Sequence, residues 1–454
     1  MQLTVISLAF SAASSILHPA HSSRVSTAEA SPSPTGCLIT MASRSLIPFL
    51  VAMMLLTGVC NTLLTKYQDN QCVRNCDPDD NPRKRAFFNQ PVLQTAQMFV
   101  GEMGCWLVVG MMALWRRFKG SAPEERGYQA VGVEDNEQPA AEVEVNDRTK
   151  LLHTGPSVLR GYRITLLALP AVCDICGTTL MNAGLLMVAA SIYQMTRGAL
   201  VLFVGLFSVV FLKRHLHLFQ WLSLMGVVMG VAVVGLAGAI WPDEKPENSI
   251  GLPEEDSLKD GGLSDAARAI VGVLLIAGAQ IFTATQFVLE EWLLERSSIE
   301  PLRVVGWEGI FGFSFTLLAM LVLHATIGST DAGRYGYFDI VEGWRQMTEN
   351  KQVLMTSFLI MISIGGFNFF GLSVTRSVSA TSRSTIDTCR TLFIWIVSLG
   401  LGWETFKWLQ IVGFALLVYF TFLFNGIVQP PFDFLKVPDE EIEELLPEEP
   451  IEHR

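Results

Sequence analysis

The heptapeptide QWLSLMG at residues 220–226 recurs as KWLQIVG at residues 407–413, with Trp, Leu and Gly at the same three positions. Each copy stands at the start of a long apolar run. Upstream of the two heptapeptides lies a second matching pair of residues, Arg197 and Arg390, each of which precedes an apolar stretch. We therefore interpret the chain as two related halves, the second of which begins near residue 267.

Composition places the chain among membrane proteins. Of its 454 residues, 50% are hydrophobic and only 17% are charged, which is too little charge to cover a soluble protein of this size. The formal net charge of −11 is concentrated in polar segments, chiefly residues 124–147 and 439–449. The sequence has no basic stripe, so no nucleic-acid partner is expected.

Ten apolar windows are long enough to cross about 30 Å of hydrocarbon, which takes roughly 20 helical residues. They lie at 46–66, 91–115, 163–189, 193–212, 218–240, 267–289, 303–326, 353–375, 385–403 and 407–427. The predicted fold is an all-α polytopic membrane protein with ten transmembrane helices. Because each half has five spans, an odd number, the second half must insert upside down. Two inverted repeats of this kind are typical of secondary transporters.

The polar segments complete the expected domain organisation. Residues 1–40 form an extension that is either a disordered tail or a weak targeting peptide. The first five-helix repeat is expected at 41–240 and includes an acidic cytosolic loop at 120–160. A polar loop at 241–266 separates it from the second repeat at 267–428, and an acidic cytosolic tail follows at 429–454.

Basic residues near the span ends predict the orientation, since they accumulate on the cytosolic side. With both termini cytosolic, that side holds Arg116, Arg117, Lys119, Lys213, Arg214, Arg296, Arg303, Arg376 and Arg383. The RKR at residues 83–85 falls on the opposite side and argues against this orientation. In the same loop, Cys72 and Cys76 could form a disulfide if the loop is lumenal.

Three segments carry a resemblance to a known family: PAVCDICGTTLMNAGL (170–185), SIYQMTRGALVLFVGLFSVVFLKR (191–214) and SATSRSTIDTCRTLFIWIVSLGLGWE (379–404). They resemble solute carrier family 35, subfamily F, within the drug/metabolite transporter superfamily, and the likeness covers about residues 41–428. The resemblance implies a ten-helix transporter of two inverted repeats with cytosolic termini. It supplies no substrate, and the Gly-Ala-Leu-Asn-Lys type motif of GDP-sugar carriers is absent.

Polar side chains inside the predicted spans are the candidates for substrate binding, because a charge at the centre of a membrane helix costs roughly 2.5–3.5 kcal/mol. Asp174, Thr178 and Asn182 follow one another at intervals of four and share a helix face about 12 Å long. The candidate substrate-binding residues are Asp174, Thr178, Asn182, Gln194, Arg197, Asn368, Asp387 and Arg390.

Two interpretations of these charges stay open. In the first, Asp174 pairs with Arg197 and Asp387 with Arg390, and the pairs only neutralise buried charge. In the second, Arg197 and Arg390 hold an anionic substrate in a central cavity, while the carboxylates set selectivity or carry a proton. Arg383 is expected at the cytosolic rim, and Asp387 and Arg390 one to two turns deeper.

Two further acids, Glu102 in VGEMG and Glu308 in GWEGIFG, are candidate gate or coupling residues, or else packed, protonated acids. The sequence has no catalytic constellation and no nucleotide-hydrolysis motif. Cys173 and Cys176 form a C-x-x-C, but neither a second pair nor a ligand histidine accompanies it. We therefore expect no enzyme activity, no metal site and no cofactor.

Two polar segments, DRTKLL (147–152) and EIEELL (441–446), have an acid, three residues and then Leu-Leu. This pattern resembles cytosolic dileucine sorting signals and would bring sorting adaptors as partners. It predicts a lysosomal or endosomal membrane, with the Golgi or another endomembrane as the alternative. The residues concerned are Asp147, Leu151, Leu152, Glu441, Leu445 and Leu446.

The sequence thus predicts a secondary-active transporter in an endomembrane bilayer that moves a small anionic organic solute, nucleotide-sugar-like or related, by alternating access. The alternative is a non-transporting membrane scaffold that recruits partners through its acidic loop and tail. Whether the chain forms a homodimer is left open.

Overall fold

A computed structural model describes residues 34–76, 85–119, 161–185, 187, 188, 193, 196–241, 265–297, 299–330, 333–403 and 405–430 of the chain. These residues are mostly helical. The helices are α1 (Pro34–Asp69), α2 (Pro91–Met103), α3 (Cys105–Phe118), α4 (Ala168–Leu185), α5 (Leu200–Leu212), α6 (Leu218–Ile240), α7 (Asp265–Glu295), α8 (Pro301–Leu323), α9 (Ile340–Glu349), α10 (Lys351–Ser377), α11 (Ala380–Gly400) and α12 (Trp408–Phe424). A 3₁₀ helix, Gly161–Leu167, leads into α4, and a π-helical turn, His324–Gly328, follows α8.

Seven helical segments of the described chain are long and apolar enough to cross a membrane. They are Leu46–Asp69, Pro91–Phe118, Arg163–Leu185, Leu218–Ala237, Ile270–Glu295, Pro301–Gly328 and Lys351–Ser377. The polytopic helical class is therefore confirmed, and seven of the ten predicted spans have this length and apolarity.

The other three predicted windows also contain helices, but these helices differ from the seven. Helix α5 has 13 residues and α12 has 17. At 1.5 Å per residue, α5 extends about 20 Å, which is less than the thickness of a bilayer core. Helix α11 has 21 residues but carries Arg383, Asp387 and Arg390 within its first eleven residues.

The matched heptapeptides lie where α6 and α12 pack against each other. A Cβ on Gly230 would lie 2.8 Å from the backbone nitrogen of Leu417, and a Cβ on Gly413 would lie 2.8 Å from the carbonyl oxygen of Gly230. The ring of Phe420 packs on Gly226 in the same way. Small residues allow helices in a membrane to approach closely, so the repeated glycines serve a helix contact.

Glycines also bring α2 to the centre of the molecule. A Cβ on Gly309 of α8 would lie 2.6 Å from the backbone nitrogen of Met103, and one on Gly365 of α10 would lie 2.7 Å from the carbonyl oxygen of Gly101. Helix α2 is therefore held between α8 and α10 at the turn that carries Glu102. Buried apolar side chains form small clusters between neighbouring helices, one of which includes Leu293, Val304 and Leu372.

A short hairpin connects α1 to α2. Strand β1 (Cys72–Arg74) pairs antiparallel with β2 (Ala86–Phe87). Cys72 and Cys76 are joined by a disulfide, which the sequence had made conditional on a lumenal loop. The Asn350 amide donates to the Cys72 carbonyl oxygen at 3.1 Å, and its own oxygen caps the start of α10.

We predict that Gly230→Ala destabilises the protein, because its methyl group would meet the backbone of α12. Overpacking of this kind costs roughly 1–3 kcal/mol. The measurement is thermal unfolding of the purified protein in detergent. Gly110→Ala is the matched control, since no atom lies within 4 Å of a Cβ at that position. Equal melting temperatures for the two variants would show that α6 and α12 do not pack as described.

Candidate functional site

A small polar cavity lies in the interior between α2, α4, α7, α8, α10 and α11. It leaves about 10 Å³ for the centres of water-sized molecules, which is room for about one water. Its lining residues are Phe99, Glu102, Ala171, Asp174, Gln286, Glu290, Glu308, Asn368, Leu372 and Arg383. Four of the predicted site residues, Glu102, Asp174, Glu308 and Asn368, therefore come together here.

A buried ion pair closes one side of this cavity. Arg383 Nη1 donates to Glu290 Oε2 at 2.5 Å, and each side chain is only 2% exposed. The guanidinium also lies over the ring of Phe287, 4.2 Å from its centroid. It packs against Gly371, where a Cβ would lie 2.9 Å from Arg383 Nε. A larger residue at position 371 would displace the arginine.

The expectation that Arg383 lies at the cytosolic rim is wrong. Helix α11 begins at Ala380, and its first turn is buried against the end of α7. The Ala380 N–H donates to the Glu291 carboxylate at 3.2 Å, and Glu291 also accepts from Arg214 at 3.0 Å. The end of α7 thus holds the start of α11 inside the protein, and Arg383 points inward with it.

Glu102 and Asn368 form a second polar contact in the cavity. Asn368 Nδ2 donates to Glu102 Oε1 at 2.6 Å, and Glu102 is 4% exposed. The glycine contacts of α2 described above place the two side chains at this distance. The candidate gate residue and a candidate substrate-binding residue are therefore direct neighbours.

Glu308 has a buried carboxylate oxygen without a partner among the described residues. It is 6% exposed, and its Oε1 has no hydrogen-bond partner among the described residues. Glu290, Glu102, Asp174 and Arg383 all lie close enough to act on it electrostatically. An unpartnered polar atom in a buried site costs free energy, so this position calls for a ligand or a proton.

The predicted stripe on α4 is only partly directed at the cavity. Asp174 lines the cavity, where the charged residues around it are Glu102, Glu290, Glu308 and Arg383. The suggested ion pair of Asp174 with Arg197 is therefore not seen in the described part of the chain. The Thr178 hydroxyl donates to the carbonyl oxygen of Asp174 at 2.8 Å, and Asn182 is exposed.

The predicted pair on α11 is present. Arg390 Nη2 lies 3.3 Å from Asp387 Oδ2, and the guanidinium stacks over the ring of Phe367, 4.9 Å from its centroid. Arg390 is 8% exposed, and its Nε has no hydrogen-bond partner among the residues that the structure describes. Arg197 and Tyr193 are close enough to interact electrostatically with Arg390. We call Arg197 and Arg390 the arginine pair.

Sequence reasoning missed Glu290 as a site residue, assigned Gln286 to a hydrogen bond between helices rather than to the site, and misplaced Arg383. Gln286 Nε2 donates to Glu290 Oε1 at 3.0 Å, one helical turn away. Glu290 directly follows the predicted end of its span at residue 289 and therefore lies outside the predicted span. A signal was present in the apolar residues Trp292, Leu293 and Leu294, which resume directly after Glu290 and Glu291 and indicate that the helix continues; α7 does extend to Glu295.

Several predicted residues lie outside the described residues: Gln194 in the site, and Asp147, Leu151, Leu152, Glu441, Leu445 and Leu446 in the sorting motifs. Within the described ranges, no group of three or more His, Cys, Asp or Glu side chains could hold a metal ion. Cys173 and Cys176 are both free thiols.

Comparison with known proteins places the chain in a family. The profile of the family described as "Nucleotide-sugar transporter" matches residues 142–333. Solute carrier family 35 member F6 of Homo sapiens is 36% identical over 384 residues, which cover 84% of this chain and 89% of that protein. An uncharacterised protein of Schizosaccharomyces pombe is 37% identical over 83% of this chain and 97% of its own length.

Two more distant similarities were also found. The UDP-N-acetylglucosamine transporter of Rattus norvegicus is 28% identical over 182 residues, covering 40% of this chain and 49% of that protein. A solved structure entitled "Crystal structure of protein" has a TM-score of 0.50 at 11% identity, covers 85% of this chain and 99% of that chain, and shows a likeness of fold alone. The chain belongs to solute carrier family 35, subfamily F, and is an integral membrane transporter.

Proposed function

We propose that the protein is a secondary-active transporter in which two inverted five-helix repeats, residues 41–240 and 267–428, alternate access to a pathway between them. The helix pairing supports this arrangement. Helix α1, the first span of the first half, packs on α10, the third span of the second half. In the same way α4, the third span of the first half, packs on α7, the first span of the second half. Corresponding spans also pair directly, α2 with α8, α5 with α11 and α6 with α12.

The polar residues follow the same two-fold relation. Glu102 and Glu308 lie on the second spans of the two proposed repeats, Asp174 and Asn368 on the third, and the arginine pair on or directly before the fourth. In transporters built from inverted repeats, the substrate site lies near the midplane between the halves. The paired positions therefore support a pathway along the pseudo-two-fold axis.

The observation that carries the substrate class is the closeness of Arg197 to Arg390. Two guanidinium groups near each other repel, and Asp387 is the only carboxylate that the structure places on Arg390 among the described residues. This local excess of positive charge suits an anionic solute, because guanidinium groups bind phosphate and carboxylate well. A nucleotide-sugar-like anion or a related metabolite is the proposed substrate. The scaffold alternative is not favoured, since the named relatives are solute carriers.

Arg390→Ala should lower saturable solute uptake by roughly ten-fold or more, because a hydrogen bond to a charged group contributes about 1.5–3 kcal/mol. The measurement is uptake into proteoliposomes, screened with nucleotide sugars, nucleotides and small organic acids. Arg390→Lys should retain part of the activity. Arg303→Ala is the control, because Arg303 is half exposed and pairs with Glu300 at the start of α8.

Wild-type activity in Arg390→Ala would remove this arginine from the pathway. If correctly folded wild-type protein takes up none of these solutes, the anionic substrate class is wrong and the scaffold function gains support.

We also propose that both termini are cytosolic, with the acidic loop 120–160 and the tail 429–454 on that side. The disulfide between Cys72 and Cys76 supports a lumenal hairpin, because disulfides persist in oxidising compartments. The first loop then lies in the lumen, and the basic residues after α3 and α5 lie in the cytosol.

In sealed microsomes, we expect the single variant Cys76→Ser to expose the Cys72 thiol to the lumen. A membrane-impermeant maleimide should then label it only after the membrane is permeabilised. The double variant Cys72→Ser/Cys76→Ser shows the labelling of the remaining cysteines. Labelling of Cys72 in sealed vesicles would reverse the proposed orientation.

For localisation, we propose a lysosomal or endosomal membrane reached through sorting adaptors at the two dileucine patterns. Replacing Leu445 and Leu446 together with Leu151 and Leu152 by alanine should move the protein to the cell surface. Surface biotinylation measures this shift, and Glu449→Ala is a control in the same acidic tail. An unchanged distribution in the quadruple variant would refute sorting by these motifs.

A further inference from the structure

The cavity holds more negative charge than positive charge. Four carboxyl groups, those of Glu102, Asp174, Glu290 and Glu308, face it together with the single guanidinium of Arg383, as far as the described residues extend. Arg383 is engaged with Glu290 at 2.5 Å. Among the described residues, three carboxyl groups are thus left without a positive partner. In a buried site, ionised carboxylates without partners are too costly to persist.

Two of these three acids, Glu102 and Glu308, differ in their contacts. Glu102 accepts a hydrogen bond from Asn368, while Glu308 Oε1 has no partner among the described residues although the side chain is 94% buried. An oxygen that is buried, unpartnered and directed into an acidic cavity is satisfied when a proton binds to the cluster, because a protonated acid can donate to a neighbouring carboxyl oxygen.

The size of the cavity restricts what can neutralise these acids. It has room for about one water, so an organic cation does not fit. The residues described in the structure also contain no metal-binding group of His, Cys, Asp and Glu side chains. A proton fits this space and needs no set of coordinating ligands.

We propose that Glu102 and Glu308, supported by Asp174, form a proton-binding site that is separate from the arginine pair and couples solute movement to a proton gradient. This inference rests on the proposed transport function. One proton binds to the Glu102–Glu308 cluster in one orientation of the repeats and leaves to the opposite side in the other. Glu102 and Glu308 lie on α2 and α8, which pack directly on each other.

Helix α11 connects the two sites physically. It carries Arg383 in the acidic cavity and Arg390 in the arginine pair, seven residues apart, or about 10 Å along the helix axis. Binding of a proton lowers the negative charge that holds Arg383 in the cavity. Arg383 is then less strongly attracted toward α2 and α8, while its pair with Glu290 of α7 stays, and a shift of α11 moves Arg390 as well.

The titratable and charged groups around Glu308 come from every neighbouring helix that the structure describes. They are Glu102 from α2, Asp174 from α4, Glu290 from α7 and Arg383 from α11, and Asn368 of α10 adds an amide. Arg383 is the only positive charge in this set. Three carboxyl groups, those of Glu102, Asp174 and Glu290, oppose a negative charge on Glu308.

Infrared spectroscopy of the purified protein in detergent tests proton binding without any solute. We expect a carbonyl band of protonated carboxylic acid in the wild type that disappears as the pH is raised. The band should weaken in Glu308→Gln and in Glu102→Gln. Glu342→Gln is the control, because Glu342 lies on α9 and pairs with Arg345 at 3.0 Å. The absence of such a band, or equal bands in all four proteins, would overturn the proposal.

A transport measurement separates this proposal from the proposed function. UDP-N-acetylglucosamine is the probe, and its uptake into proteoliposomes is compared with and without an imposed pH gradient. In Glu308→Gln, we expect the ratio of the two rates to fall to unity while exchange at equal pH continues. An unchanged ratio in this variant would refute coupling through Glu308. If the wild type does not transport this probe, UDP-N-acetylglucosamine is not the substrate, and the infrared result still decides whether the cluster binds a proton.

Discussion

The pair between Arg383 and Glu290 is the interaction on which the interior arrangement depends. Both side chains are 2% exposed, and breaking a buried pair by removing one partner costs about 3–5 kcal/mol. The pair holds the start of α11 against the end of α7. Glu291, the next residue, accepts from the backbone N–H of Ala380 and strengthens the same contact. Two successive acids of α7 thereby determine where α11 begins.

The same pair determines the electrostatics of the cavity. Because Arg383 is engaged with Glu290, it cannot neutralise Glu102, Asp174 and Glu308 at the same time. Seven residues further along α11, positive charge exceeds negative charge. Arg390 lies near Arg197, and Asp387 is the carboxylate in contact with Arg390. The interior thus has an acidic site and a basic site along one helix. This separation of charge is the basis of the proposed anion site and of the proposed proton site.

Close helix packing makes this arrangement possible. Glycines at positions 309 and 365 allow the backbone of α2 to approach α8 and α10, and Gly371 leaves room for the guanidinium of Arg383. Such contacts have little tolerance for added volume, because protein interiors are packed densely. The glycines shared by QWLSLMG and KWLQIVG belong to the same class of contact, between α6 and α12.

The sequence by itself determined the membrane class, the positions of the helices and the identity of most polar residues inside them. These follow from local properties, namely apolar length and the cost of burying charge. The tertiary structure decided which polar residues meet. It moved Arg383 from the expected rim to the interior, added Glu290, and separated Asp174 from Arg197. Ion pairing between helices depends on contacts between residues distant in sequence, such as Glu290 and Arg383, and periodicity along one helix does not encode them.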